Sequence, residues 1–436
     1  MQKKKLAIIS TYNELCGIAA YTKYIKQKLD DQYDVTVFDL DQYLLRNTNR
    51  RVKPLADQHI AEICAALPQF DYVNLQLEHG TLGFYAKDIV GRMRQIIEAA
   101  PNLSVTFHTM LSGEAPDYGA IGADLLRFKF GKLFSALRTM RRDRLLTKSP
   151  MKYLRNAQKT KRVSAIVHTR KDMRFLKYVQ GIENVFDHPL AFLDAETAQD
   201  IRATSQRQDF PLLADLDDKA VLIGVFGFIG RYKGFDVVIN ALRRLPENYH
   251  LAIFGGVHPN EIKKNQAISQ QLESLLQASR ADATTLETTL SRLSESGAKP
   301  NISMSVDVGK DLISKDDGDL SDRIHFMGAP NDDNFLKGLA VSDIVVMPYL
   351  EVGQSSSGPM SMALEMQCDV IASRTRTFME LSRYQPDTFE FFEVGNFVEL
   401  AHRIESREGS PRVQAPLQRT TETNVKVYMQ AFGDYE

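Results

Sequence analysis

The pattern that most constrains this chain is a short apolar run, then a polar turn, then a helical stretch, repeated along almost its whole length. Leu6 to Ile9 runs into Ser10-Thr11-Tyr12-Asn13 and Cys16-Gly17, after which Ala20 to Leu29 has helical spacing. Val35 to Phe38, Val73 to Leu75, Val105 to Phe107, Val163 to Val167 and Val185 to Phe186 read as further buried strands. A second opening follows, with a strand over Ala220 to Phe226, a loop over Gly227 to Arg231, the turn Lys233-Gly234 and a helix over Phe235 to Leu245. Leu251 to Phe254, Ile324 to Met327, Ile344 to Met347, Val370 to Ala372 and Phe389 to Phe392 continue it, and two helices close the chain. Such alternation argues for α/β architecture, with parallel sheets covered by helices on both faces. Ligands of such sheets bind beyond the carboxyl ends of the strands, and Gln76, Glu78, His79 and His108 fall at that edge.

At 436 residues the chain is too long for one ordinary core. The expected division is a domain over 1–190 with a basic insertion at 126–162, a polar linker over 191–218, and a second domain over 219–415 with an insertion at 261–320. Residues 416–436 are expected to form a helix returning to the first domain. A hydrophobic content of 43% against 25% charged residues excludes disorder, and a net charge of −1 excludes a polyanion binder as a whole. Residues 126–162 nevertheless hold 13 Lys/Arg against the single acid Asp143. No stacking platform or zinc module accompanies them, so nucleic acid is not an expected partner. Cys16, Cys64 and Cys368 have neither disulfide nor zinc spacing, which suits a reducing cytosol. No signal-peptide core and no run of about 18 apolar residues is present, so the expected location is cytoplasmic, with any membrane contact peripheral.

Between the strand ending at Met347 and the helix beginning at Pro359 lies Gln354-Ser355-Ser356-Ser357-Gly358, a loop rich in donors. Gly358 permits close backbone approach, Pro359 suits a first helical turn, and the free N–H groups of that turn favour an anion such as a diphosphate. The alternative is that Ser357 only caps a helix. Lys233 is either a phosphate ligand, exposed in a cleft, or a surface lysine at a turn; Arg231 has the same two readings. His108 is either a satisfied core histidine or a ligand at a strand end. Glu78 and His79 are polar residues of the kind that follow any buried strand, or contacts for a substrate. Gly17 is expected for its backbone freedom. In the basic stretch, Phe130, Leu133, Phe134 and Leu137 share a helical face near Arg138, Arg141, Arg142 and Arg144. This suits an interfacial helix on anionic lipid or a hairpin packed on the first domain.

GFIGRYKGFDVVINAL at Gly227 to Leu242, LAIFGG at Leu251 to Gly256, Pro348-Tyr349 and Ser357-Gly358, with CGIAAYT at Cys16 and QLEHG at Gln76, resemble family 4 retaining glycosyltransferases of GT-B fold. The resemblance spans nearly the whole chain outside 126–162 and 261–320. It implies two facing Rossmann-like, doubly wound parallel-sheet domains and transfer of a sugar from a nucleotide-sugar donor to a glycan or lipid-linked acceptor, with retention. Cell-envelope polysaccharide or glycoconjugate synthesis is the implied setting. Neither cofactor nor metal is implied, and the only convincing Asp-x-Asp, Asp317-Gly318-Asp319, lies in the presumed insertion. His108, Arg231, Lys233 and Glu351 would act in catalysis. Gly17, Gly227, Gly255, Gly256, Gly328, Gln354, Ser355, Ser356, Ser357 and Gly358 would bind the donor, and Glu78 and His79 would face the acceptor. The chain departs from the family at two places where glutamates often stand, which Gln354 and Met362 occupy here. That departure motivates a rival reading as a non-catalytic, sugar-nucleotide-binding subunit.

Overall fold

The computed structural model describes residues 3–14, 16–110, 130–257, 270–279, 319–351, 355–407 and 414–435, excluding the side chains of 130–137 and 270. Contacts divide the chain into two compact units. The first comprises Met1–Phe192, Gln354–Gly358 and Arg419–Glu436; the second comprises Leu193–Gly353 and Pro359–Gln418.

The first unit carries β1 (Lys4–Ser10), β2 (Tyr33–Asp39), β3 (Tyr72–Leu77), β4 (Leu103–Phe107), β5 (Val163–Val167) and β6 (Asn184–Asp187). Their order is β2-β1-β3-β4-β5-β6, with every pair parallel. All five residues of β4 and of β5 are buried, as befits central strands covered on both faces. The second unit carries β7 (Val221–Phe226), β8 (Tyr249–Phe254), β9 (Ile324–Gly328), β10 (Ile344–Met347), β11 (Val370–Ser373) and β12 (Glu390–Phe392). These run β12-β11-β10-β7-β8-β9, again all parallel. Each apolar run singled out in the sequence is one of these strands.

Three segments differ from expectation. The stretch 126–162 is less an insertion than the crossover between β4 and β5, since parallel neighbours can be joined only by such a connection. A helix over Phe130–Ala157 supplies it, and Leu146, Met151 and Leu154 are buried in the core while Arg138, Arg141, Arg142 and Arg144 stay exposed. Residues 191–218 are not a bare linker. They hold the helix Ala195–Thr204, and Ala198, Phe210 and Leu213 pack into the second core. Within 261–320, the helix Gln270–Ala278 buries Leu275 in the second unit's other apolar cluster, with Ile223, Val225 and Leu251, as Leu320 does, so these described parts are integral. The rest of that segment, with Asp317 and Gly318, lies outside the described residues.

The closing helix, Thr421–Phe432, belongs to the first unit. Its fully buried Tyr428 hydroxyl lies 3.0 Å from Gln76 Nε2, 3.1 Å from Thr106 Oγ1 and 3.4 Å from Tyr21 Oη. Beyond it, the Asp434 carboxylate accepts from Tyr33 Oη at 2.9 Å, from Tyr72 Oη at 2.7 Å and from Lys4. A buried donor left without a partner costs roughly 1–3 kcal/mol. Tyr428→Phe, which removes only the oxygen, is therefore expected to lower stability by about that much in a denaturant titration. An unchanged midpoint would mean that this polar knot does not anchor the helix.

Candidate functional site

In the second unit the strand order reverses between β10 and β7, and a doubly wound sheet offers its crevice at that point. Glycines lock the loop leaving β7 to those leaving β8 and β10. Gly227 has φ +113° and donates its N–H to the Phe254 carbonyl at 3.0 Å. A Cβ on Gly255 would fall 2.1 Å from the Gly227 carbonyl oxygen, and one on Gly256 would fall 2.7 Å from Ala329 Cβ. Gly234 has φ +64°, and its Cβ would meet the Pro348 carbonyl at 2.1 Å, while Leu350 donates its N–H to the Tyr232 carbonyl at 2.7 Å. No side chain fits at these places: Gly234 brings the β7 and β10 loops into contact, and Gly255 and Gly256 bring the β8 loop against those of β7 and β9.

Lys233 stands where the β7 and β10 loops meet. It is not exposed as the sequence suggested: only 5% of it is accessible. Its ammonium donates to the Tyr349 hydroxyl and lies 3.9 Å from the Tyr349 ring centre and 5.2 Å from that of Tyr232. A Cβ on Gly227 would come within 3.0 Å of Nζ. Among the described residues no carboxylate pairs with it, and burial pulls its pKa from 10.5 down to about 7. Aromatic faces offset part of the desolvation cost of a cation, and an anion would offset far more.

The other expected donor-side residues divide. The helix Gly358–Glu365 begins beside Gly227, whose Cβ position is 3.6 Å from Pro359 Cγ. Arg231 is exposed on the turn leading into Lys233. Ser355, Ser356 and Ser357 are half-buried and, with Gly358, group with the first unit. Gln354 lies outside the described residues. Gly328 ends the edge strand β9, two strands from β7 and on the order of 10 Å from the reversal, where its φ of +73° accounts for the glycine. The Glu351 carboxylate accepts the Arg376 N–H at 2.8 Å, capping the helix Arg376–Ser382.

In the first unit, His108, His168 and His188 each follow the last residue of β4, β5 and β6. The in-register ladders, with Phe107 opposite Val167 and Val167 opposite Asp187, set them in a row. His108 Nε2 lies 2.8 Å from Gln76 Oε1, and its Nδ1 lies 3.3 Å from His168 Nε2. His168 Nδ1 donates to the His188 carbonyl at 3.0 Å, and His188 Nε2 contacts Thr423 Oγ1 at 2.7 Å. Burial holds His108 well below its usual range and takes His168 to about 4, so both rings are neutral. Two neutral rings carry two protons for three contacts; rotating the Gln76 amide supplies the third, and requires the Asn74 amide, now 2.6 Å from Gln76 Nε2 through its Oδ1, to rotate with it. Both His108 nitrogens are thus engaged within the unit, and a hydrogen bond from this ring to a ligand requires one contact to open.

Glu78 is raised by burial, opposed by the Thr109 hydroxyl that donates to it at 2.6 Å. His79 is buried, and its Nδ1 has no partner among the described residues. Gly17 departs from expectation: its φ is not positive and a Cβ there would meet nothing within 4 Å, so its conformation does not demand glycine. Sequence reasoning passed over Tyr349, Tyr232, His168 and His188 as site residues. Position directly after a strand was the available signal for both histidines, but their alignment depends on register.

No protein-family profile and no curated protein matches the chain by sequence. Solved structures do match. HepE from Anabaena in complex with UDP superimposes with a TM-score of 0.55 at 14% identity, covering 98% of this chain and 95% of the other. An α,α-trehalose 6-phosphate synthase from Burkholderia multivorans gives 0.55 at 11% identity, covering 100% and 94%. A protein assigned as a UDP-N-acetylglucosamine 2-epimerase from Listeria monocytogenes gives 0.52 at 13% identity, covering 100% and 98%. The chain has the GT-B fold. Because a synthase and a protein assigned as an epimerase fall on one fold, the fold alone does not fix the reaction.

Within this GT-B fold, Lys233 makes a stability prediction. Between its folded value of about 7 and its unfolded value of 10.5, the unfolded chain binds the extra proton, so this group's contribution rises with pH across that window and is lost as pH falls through 7. Lys233→Met is therefore expected to stabilise the protein, by more at pH 7 than at pH 10, the difference being on the order of a few kcal/mol. Thermal melts at the two pH values check this; equal gaps would mean that the ammonium is not desolvated.

Proposed function

We propose that this protein transfers a sugar from a nucleotide-sugar donor to a glycan or lipid-linked acceptor, with the donor diphosphate held by the second unit. The observation that carries this reading is the buried Lys233 ammonium, unpaired by any described carboxylate, at the strand-order reversal of the second sheet. A diphosphate supplies the anionic charge that this position lacks, and Arg231 and the first turn of the helix Gly358–Glu365 extend the positive surface. The complexes of HepE with UDP and with UDP-glucose support a uridine nucleotide as the first donor class to test.

Bond cleavage places negative charge on the departing diphosphate, and fixed positive groups stabilise it as it develops. The family resemblance implies retention, with the leaving phosphate taking the acceptor proton on the same face, and the positive groups named above serve in place of a metal. The rival reading, a binding subunit without turnover, is favoured by two observations. Glu351 spends its carboxylate on the Arg376 N–H, and Met362 stands where a glutamate often occurs.

A donor panel separates the two. Transfer or slow donor hydrolysis is expected, resistant to saturating EDTA and reduced roughly 100- to 1,000-fold in kcat/KM by Lys233→Ala. Binding with neither transfer nor hydrolysis would favour the rival, and restoration by Mg²⁺ after EDTA would overturn metal independence.

The exposed arginines of the Phe130–Ala157 helix suit peripheral recruitment to an anionic surface at the cytoplasmic face, where envelope glycans are built on lipid carriers. Among the described residues no helix is long and apolar enough to cross a membrane. Sedimentation should find the protein with anionic but not neutral vesicles, less so at high salt or after replacing Arg138, Arg141, Arg142 and Arg144 with Gln. A protein that stays in solution with anionic vesicles at low salt would point to a soluble acceptor.

A further inference from the structure

Among the described residues the Lys233 ammonium makes one hydrogen bond, to the Tyr349 hydroxyl, and the Tyr349 ring centre lies 3.9 Å from Nζ. Tyr349 is itself fixed. Its carbonyl accepts the Ser373 hydroxyl at 2.6 Å, its ring packs against Phe378 with centres 5.1 Å apart, and only 3% of it is accessible. A lysine ammonium, by contrast, is a point charge with three donors on a flexible stem, and takes its direction from what it bonds to. One donor goes to Tyr349. Gly227 leaves the space beside the others open: a Cβ there would fall 3.0 Å from Nζ and 3.6 Å from Pro359 Cγ, at the first turn of the helix Gly358–Glu365. The charged groups on the neighbouring elements are engaged or turned to water. Arg231 and Asp236 are exposed, the Glu351 carboxylate accepts the Arg376 N–H, and Glu365 accepts the Leu193 N–H at 3.1 Å.

We propose that Tyr349 is the positioning residue of this site: its hydroxyl and ring keep the Lys233 ammonium charged and aimed past Gly227 at the donor diphosphate. The proposal rests on the reading of Lys233 as the diphosphate ligand. A hydroxyl that accepts from the charged form stabilises that form, and so opposes burial, which pulls the lysine down to about 7. Donor binding is then linked to a proton, and weakens as pH rises through the Lys233 midpoint.

Tyr349→Phe keeps the ring and removes only the oxygen. Lysine labelled with carbon-13 at Cε reports the titration of Lys233 in the full chain, with Lys233→Met assigning the signal. The midpoint is expected near 7 in the unaltered protein. In Tyr349→Phe it should fall by about one unit or more, since a hydrogen bond to a charged group is worth about tenfold or more. Calorimetry with UDP-glucose, whose diphosphate does not titrate in this range, should follow each protein's own midpoint. At pH 8 Tyr349→Phe is expected to bind about tenfold more weakly than the unaltered protein, and at pH 5 equally. Weakening by one factor at both pH values would show a merely structural role and overturn the proposal. On the unaltered protein, a nuclear Overhauser contact between Lys233 Hε and the Tyr349 ring should persist with UDP-glucose bound; its loss would overturn the proposal without any variant. An unmoved midpoint in a chain that binds UDP-glucose would defeat this inference alone. A moved midpoint in a chain that does not bind UDP-glucose would defeat the donor reading alone.

Discussion

In-register parallel pairing is the constraint on which the rest of this protein depends. A parallel strand cannot turn straight back to its neighbour, so every strand but the last of each sheet is followed by a crossover, and the polar residues after the strands collect at one edge. Lys233, Tyr349, Glu78, His79, His108, His168 and His188 are all residues of this kind. Apart from Lys233, which is held seven residues beyond β7 by the turn Arg231–Lys233, their positions follow from strand ends that the ladders align. That makes the sites precise, because a strand end is held by the hydrogen bonds and buried apolar faces of the strand behind it.

The two sheets use this constraint differently. In the second, the order β12-β11-β10-β7-β8-β9 reverses beside β7, and the glycines at 227, 234, 255 and 256 remove the side chains that would separate the loops there. The loops close around a lysine whose charge no described carboxylate neutralises. Burying a cation without a carboxylate opposes folding, and such a cost is usual where binding energy is held ready for a ligand. In the first sheet the order reverses between β1 and β3, and the polar row is neutral: three histidines and Gln76 satisfy one another under the closing helix. A buried lysine without a described carboxylate partner therefore lies in one unit, and an uncharged polar row in the other.

The helix Phe130–Ala157 joins these themes. Leu146, Met151 and Leu154 fix it to the first core as a necessary crossover, while its arginines remain in water. One element thus closes the sheet and presents a basic surface. A segment that must exist for topological reasons has an outer face free to vary, so function can be placed there at little cost to the fold.

The sequence alone determined the strands. Each apolar run became one, because a fully buried parallel strand needs unbroken β-branched and aliphatic side chains, and these are visible without any partner. It also marked Lys233-Gly234 and the Gly255-Gly256 pair, since glycine at a turn is a local requirement. Tertiary structure alone decided strand order, the row of histidines, the burial of Lys233 and the capping role of Glu351. Each is a relation between residues distant in sequence: Lys233 reads as a surface residue until Tyr349, more than a hundred positions later, covers it. Residues 191–218 and the Gln270–Ala278 helix were misjudged for the same reason. A few apolar side chains among polar ones suffice for packing when a core already exists to receive them, and only the folded sheet supplies that core.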